Sequence, residues 1–229
     1  MAQFHFVEDY ERLVEHLLRT YPRDEAMARA VGGGYREIGE IERNILQYAG
    51  LGNGMSVVDI GCGSGRLAYA LATAAMQIDY LGTDIVTALL DYAAEKCPPH
   101  YRFKLHRHLS IPVASASSDM ICAFSVFTHL LHHESYLYIE DACRALKPKG
   151  KLIFSFLEFA DPGHWRVFED TVEAQRSAVP THLNSFIERS AISVWASHLG
   201  FAETEFLKGS DRVLGGKGLG QAVAILTRP

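Results

Sequence analysis

The chain has 229 residues, with 22 basic and 27 acidic side chains for a formal net charge of −5; 48% of it is hydrophobic and 21% charged. That describes one globular domain with a sizeable core, at a usual domain size of roughly 100–200 residues. No Lys/Arg run marks a nucleic-acid partner, and no stretch of roughly 20 apolar, uncharged residues marks a membrane span.

Residues 5–30 open with Phe6, Tyr10, Leu13, Val14, Leu17 and Leu18 at helical spacing. This predicts an amphipathic helix ending at Tyr21-Pro22, because the residue before proline avoids the helical region. A second short helix is expected over residues 23–31. Gly32-Gly33-Gly34 follow as a link. A third helix is expected over residues 35–49, with Ile38, Ile41, Ile45, Leu46 and Tyr48 on one side. The N-terminus is charged throughout and has no signal-peptide core.

From Met55 strands and helices alternate. The spacing predicts strands over 55–60, 78–83, 101–105, 120–125 and 151–157. Helices are expected over 64–75, 86–96 and 133–146. Lys147-Pro148-Lys149-Gly150 reads as a turn. Residues 160–180 show no clean period. A helix over 190–199 and strands over 202–207 and 221–227 complete the chain, the last two joined by a long glycine-rich turn at 215–220. This rhythm implies an α/β fold with a doubly wound, mostly parallel sheet and helices on both faces. The whole chain is read as a single domain. Residues 1–50 are expected to form an N-terminal helical cap and residues 158–190 an insertion after strand five, both over the site, with Gly32–Gly34 as hinge. The four cysteines, Cys62, Cys97, Cys122 and Cys143, form no CxxC pair and read as free thiols in a reducing cytoplasmic setting.

The stretch VVDIGCGSGRL, residues 57–67, joins a strand to a helix through Gly61, Gly63 and Gly65. Dinucleotide folds place a third glycine where this chain has Arg66, so that the helix packs close to the strand. Asp59 precedes the turn, where a carboxylate is poorly placed for a diphosphate and well placed for an ammonium group. The ligand implied is nucleoside-like and lacks phosphates. This disfavours a nicotinamide-dependent oxidoreductase.

These residues resemble the first motif of the class I S-adenosylmethionine (SAM)-dependent methyltransferases. YLGTDI at 80–85, SDMICAFSVFTHL at 118–130 and RALKPKGKLIFSF at 144–156 are similar to that family's later motifs, in order. The resemblance covers about residues 38–157. It implies a seven-stranded sheet whose last strand is antiparallel, with SAM as cofactor. It also implies that Gly61, Cys62 and Gly63 approach the methionine part and that Asp59 binds its ammonium; a carboxylate that only orders the turn is the alternative. Asp84 would accept the ribose hydroxyls, or else cap the helix after it. Ile85 would pack on the adenine, Phe124 and Ser125 would contact the cofactor through backbone, and Arg66 completes the set. Two departures stand out. His106-Arg107-His108 replace the usual acid after strand three, and KPKG replaces KPGG, so that Lys149 must take a glycine's backbone angles or the turn has shifted.

The implied activity is methyl transfer to O, N or C of a small molecule, mainly by alignment. The alternative is a SAM-binding protein that transfers nothing. Acceptor contacts are expected after strands four and five and from the N-terminal helices. His129 is the first candidate for a base or acceptor contact, unless it is only hydrogen-bonded in the loop. Glu158 is the second, unless it is a surface carboxylate. Tyr35, Phe159, His164 and Trp165 are candidate substrate contacts, against ordinary packing for the aromatic pair. His132, His133 and Glu134 offer no i, i+4 histidine pair, so no metal is expected.

Overall fold

A computed structural model describes residues 7–178 and 183–229. Phe6 lies outside the described residues. The first three helices are α1 (Val7–Thr20), α2 (Arg23–Ala30) and α3 (Tyr35–Tyr48). The alternating part runs β1 (Ser56–Ile60), α4 (Arg66–Thr73), β2 (Asp79–Asp84), α5 (Thr87–Lys96), β3 (Arg102–Leu105), β4 (Ser118–Ala123), α6 (His132–Ala145) and β5 (Leu146–Phe156). The tail adds α7 (Pro162–Arg176), α8 (Arg189–His198), β6 (Glu203–Leu207) and β7 (Ala222–Thr227).

The strands form one sheet in the order β3-β2-β1-β4-β5-β7-β6, parallel except for β7, which runs against both β5 and β6. Strand order reverses between β1 and β4, so the crevice for a ligand opens at the C-terminal ends of these two. Asp59 sits there, in register with Gly82 on one side and Cys122 on the other.

Successive strand residues face opposite cores. Val57, Met120 and Ile153 pack with Ile41, Ile45, Leu67 and Leu71 of α3 and α4. Val58, Ile121 and Leu152 pack with Ile139 and Ala142 of α6 and Ile192 of α8. Burial of both faces is what the unbroken apolar strands require. Among the described residues no helix is long and apolar enough to cross a membrane.

Three differences from the sequence reading have physical causes. First, the N-terminal cap is smaller than 50 residues. Only α1 and α2 form it, with Val14 and Met27 resting on Val86, Leu89 and Tyr92 beside and within α5, while α3 joins the layer against α4. Second, residues 162–176 are helical despite their poor periodicity. Asp161 caps the helix, accepting from the backbone N–H of Gly163 at 2.7 Å and of His164 at 3.4 Å, and Pro162 takes the first position, where its missing N–H costs nothing. Only one α7 residue, His164, is buried, so the helix has almost no apolar stripe to announce it. Third, KPKG is not a turn between elements but an irregularity inside β5, where the register against β4 shifts between Ser118 and Met120. Lys149 adopts a φ of +64°, the conformation a glycine would take at less cost, and its N–H donates to the Arg228 carbonyl at 3.1 Å.

Candidate functional site

The end of β1 and the start of α4 require glycine for two reasons. Gly61 and Gly63 have φ of +65° and +55°, and a Cβ on either would come within 2.5 Å of Val126 or Val31 respectively. The turn is therefore closed in by a residue after β4 and one after α2. It is held by hydrogen bonds from Cys62 N to the Thr83 carbonyl at 2.9 Å, from Gly63 N to Asp84 Oδ2 at 2.9 Å, and from Ser64 Oγ to the Met27 carbonyl at 3.0 Å.

Two buried carboxylates face this turn. Asp84 accepts from Gly63 N and, through Oδ1, from Val86 N at 3.0 Å. The residue that precedes α5 as its N-cap is Val86, so Asp84 orders the entry to the helix rather than capping it. Burial raises the Asp84 pKa above its ordinary value, against the pull of the backbone N–H groups of Val86, Gly63 and Ile85. Asp59 accepts from the Tyr80 phenol at 2.6 Å and from the Cys122 thiol at 3.6 Å. Burial pushes its carboxyl up to about 7, the Tyr80 hydrogen bond opposing. Neither carboxylate has an ion-pair partner among the described residues.

Both acids line a cavity of about 670 Å³, within the usual range of roughly 300–1,000 Å³ for small-molecule sites. Of the residues singled out from sequence, Asp59, Gly61, Cys62, Gly63, Arg66, Asp84, Ile85, Phe124, Ser125, His129 and His164 are on its wall. The rest of the wall comes from Tyr10 and Leu13 of α1, Val31 and Gly32 after α2, Leu157, Val167, Asn184 and the segment 219–221, among others.

Tyr35, Glu158, Phe159 and Trp165 are not on this wall. Tyr35 donates to the Ser64 carbonyl at 2.8 Å and packs against Tyr69 and Tyr92, so it braces the glycine turn from behind. Glu158 is buried but accepts both bonds of a bidentate pair with Arg189, at 2.7 and 2.8 Å. Phe159 and Trp165 belong to a partly exposed ring cluster with Phe168 and Phe186 on the outer side of α7.

Arg66 lines the cavity, but its guanidinium is engaged. It pairs with buried Glu42 at 2.6 Å and donates to the Val31 carbonyl at 2.6 Å. It has little left for a phosphate, and Arg29, the other wall arginine, pairs with Glu25 and lies half exposed. Two unpaired carboxylates without a spare buried cation suit a ligand with an ammonium and hydroxyls, which are the polar groups of SAM. The residues present fit that cofactor and do not fit a dinucleotide.

His129 ends a 3₁₀ turn after β4, and its Nδ1 lies 2.7 Å from the Leu183 carbonyl. A carbonyl can only accept, so Nδ1 carries the proton and Nε2 is the basic nitrogen of the neutral ring. The Tyr10 ring stands edge-on to it, with centroids 6.1 Å apart. His164 is fully engaged: Nδ1 accepts from Glu158 N at 3.1 Å, and Nε2 donates to the Gly220 carbonyl at 3.0 Å. Glu158, Asp161 and His164 are close enough together to suggest a metal site. Their donors are already bonded to Arg189, to the start of α7 and to Gly220.

After β3, His106 reaches the cavity wall and bonds Ser110 Oγ at 3.0 Å. Arg107 ties two elements together, donating to the Ile85 carbonyl at 3.0 Å and to Glu11 of α1. Sequence reasoning missed Tyr10, Asn184 and Gln221 as wall residues. Tyr10 carried only a helical period, and the other two lie in segments with no motif.

Comparison with known proteins agrees with this geometry. Residues 57–150 match a family model described as a methyltransferase domain. The chain is 33% identical over 110 residues to a demethylmenaquinone methyltransferase of Deinococcus radiodurans, covering 46% of this chain and 44% of that one. It is 27% identical over 128 residues to a malonyl-[acyl-carrier protein] O-methyltransferase of Hahella chejuensis, covering 56% and 44%. The matched regions thus span less than half the length of these curated relatives. Among solved structures, magnesium protoporphyrin IX methyltransferase of Synechocystis PCC 6803, with bound S-adenosylhomocysteine, superposes with a TM-score of 0.60 at 18% identity, covering 100% of this chain and 90% of that one. That likeness shows the shared fold.

Proposed function

We propose that this protein, whose residues 57–150 match a family model described as a methyltransferase domain, is a class I SAM-dependent methyltransferase that moves a methyl group from SAM to a small-molecule acceptor bound in the remainder of the same cavity. The observation that carries this reading is the continuity of the cavity from the two buried carboxylates to the apolar wall of Leu13, Val31, Leu157, Val167 and Leu219. In this reading one pocket takes the cofactor and, beside it, the acceptor.

SAM supplies an activated methyl group on a sulfonium. The chain has to bind, orient and exclude water. In this reading the Asp59 carboxylate receives the cofactor ammonium and Asp84 accepts the ribose hydroxyls. Gly61, Cys62 and Gly63 lie along the amino-acid part, Ile85 and His106 flank the adenine, and Phe124 and Ser125 form the floor. His129 Nε2 takes a proton from an acceptor O–H or N–H; of the two expected bases it is the one on the wall, since Glu158 is held by Arg189. The apolar wall excludes water and so favours alignment over hydrolysis. A cytoplasmic setting fits the four free thiols, and small-molecule acceptance fits the names of the relatives, demethylmenaquinone methyltransferase among them.

The second reading, a SAM-binding protein without transfer, is favoured by one observation: of the two bases expected from the sequence, only His129 is on the cavity wall, Glu158 being held by Arg189. Calorimetry with SAM, followed by release of S-adenosylhomocysteine against fractionated metabolite extracts, separates the two. Turnover with any fraction supports transfer. Binding with no turnover across all fractions supports the second reading, and absence of SAM binding defeats both.

A further inference from the structure

Gln221 immediately precedes β7 at the cavity wall, where no motif announced it. Its carboxamide is held by two serines, Ser125 just after β4 and Ser155 within β5. Ser155 Oγ accepts from Ser125 N at 2.7 Å and donates to Gln221 Oε1 at 2.6 Å, and Ser125 Oγ donates to the same oxygen at 3.2 Å. Ser155 is completely buried. Turning the amide over would direct N–H groups at a hydroxyl that already accepts a bond, and would leave the Ser155 proton with no acceptor. The oxygen therefore faces the serines. The NH₂ group faces away from them, with no protein partner among the described residues. The preceding residue is pinned as well, because His164 Nε2 donates to the Gly220 carbonyl. Gln221 thus presents two oriented N–H donors from a rigid mount.

Two N–H donors require an oxygen or another lone pair opposite them. The surrounding wall is Phe124, Val126, Leu157, Leu219, Gly220 and the satisfied His164. Among the described residues no carboxylate of this cavity remains for a cation: Asp59 and Asp84 are assigned to the cofactor in our reading, and Glu42 is paired with Arg66, while Glu158, off its wall, is paired with Arg189. An ammonium here would lose water and gain no counter-ion.

We propose that Gln221 is the specificity-determining contact for the methyl acceptor: its carboxamide donates to an acceptor oxygen, so substrates are neutral or anionic oxygen-bearing molecules with an apolar body, and not amines in their charged form. This rests on the methyltransferase reading of the same cavity.

The test uses two probes with one apolar body, 2-naphthoate and 2-naphthylmethylammonium. Each is titrated calorimetrically into full-length protein saturated with S-adenosylhomocysteine. Wild type should favour naphthoate by about tenfold or more, the worth of a hydrogen bond to a charged group. Gln221→Leu should remove the preference. Gln221→Glu keeps an oxygen for both serine hydroxyls and replaces only the NH₂ group, so it should reverse the preference. Retained binding of S-adenosylhomocysteine shows that each variant is folded. Equal affinities in wild type, binding of neither probe, or a preference untouched by both variants overturns the proposal. A wild-type protein that binds neither SAM nor S-adenosylhomocysteine instead defeats the methyltransferase reading beneath it.

Discussion

The phenol of Tyr80 donates to Asp59 Oδ2 at 2.6 Å, and both residues are buried. Tyr80 thereby offsets part of the cost of burying a carboxylate, but its pKa still stands at about 7 against an ordinary 3.8. The folded protein holds this proton more tightly than the unfolded chain does. Stability therefore falls as pH rises from about 4 to 7 and remains reduced above that. Asp59→Asn should raise the Tm of the cofactor-free protein at pH 8 and leave it nearly unchanged at pH 4. Thermal unfolding at the two pH values checks this, and an equal gain at both would contradict a strained carboxylate.

The same carboxylate sets a pH dependence for the cofactor. An ammonium needs Asp59 ionised, so SAM affinity should weaken as pH falls below about 7. Tyr80→Phe removes a bond that favours the charged form and should move this midpoint upward. Calorimetric titrations between pH 5.5 and 8.5 measure both. A SAM affinity flat across that range rules out the ammonium role, and so would an equal loss for SAM and a deaminated analogue in Asp59→Ala.

Asp84 serves the turn and, in our reading, the ribose. Asp84→Ala should cost on the order of 1–3 kcal/mol of S-adenosylhomocysteine binding. The loss should shrink when the ligand lacks both ribose hydroxyls, because that ligand never made the contact. If the mutation costs the same for both ligands, Asp84 acts only through the backbone N–H groups of Gly63 and Val86.

The Arg66–Glu42 pair is 10% and 2% exposed at its side chains, so neither partner tolerates losing the other. Glu42→Leu alone should destabilise by about 3–5 kcal/mol, since it strands a buried guanidinium, and the double change Arg66→Met with Glu42→Leu should recover much of that. Urea unfolding curves measure both. Independent, additive losses would show that the pair does not act as a unit.

His164→Ala should leave the Glu158 N–H and the Gly220 carbonyl without their ring partner. Each such group costs about 1–3 kcal/mol. The variant should also loosen Gln221, raising the acceptor KM more than it lowers kcat. A loss confined to kcat would place His164 in the chemistry instead.

The sheet was legible because each of its signals is local. Val57–Ile60 is an apolar run, Gly61–Gly65 is a turn with the spacing that lets a helix start, and the acids at 59 and 84 close their strands. Helix α7 was not legible, because its signal was a cap at Asp161 rather than a period. The site divides in the same way. In our reading the cofactor half is written into consecutive residues around two strand ends. The half we propose for the acceptor is assembled from α1, the end of β5, α7 and the segment before β7.

By itself the sequence determined the strand–turn–helix unit, the order of the alternating elements and the two carboxylates beside the glycine turn. Backbone preference and hydrophobic period act within a few residues and can be read there. Only the tertiary structure decided which polar and charged side chains are engaged. Glu158 meets Arg189 across 31 positions, Arg66 meets Glu42 across 24, and Ser125 meets Gln221 across 96. A buried polar group takes whichever partner the packing brings to it, and chain order does not record that partner.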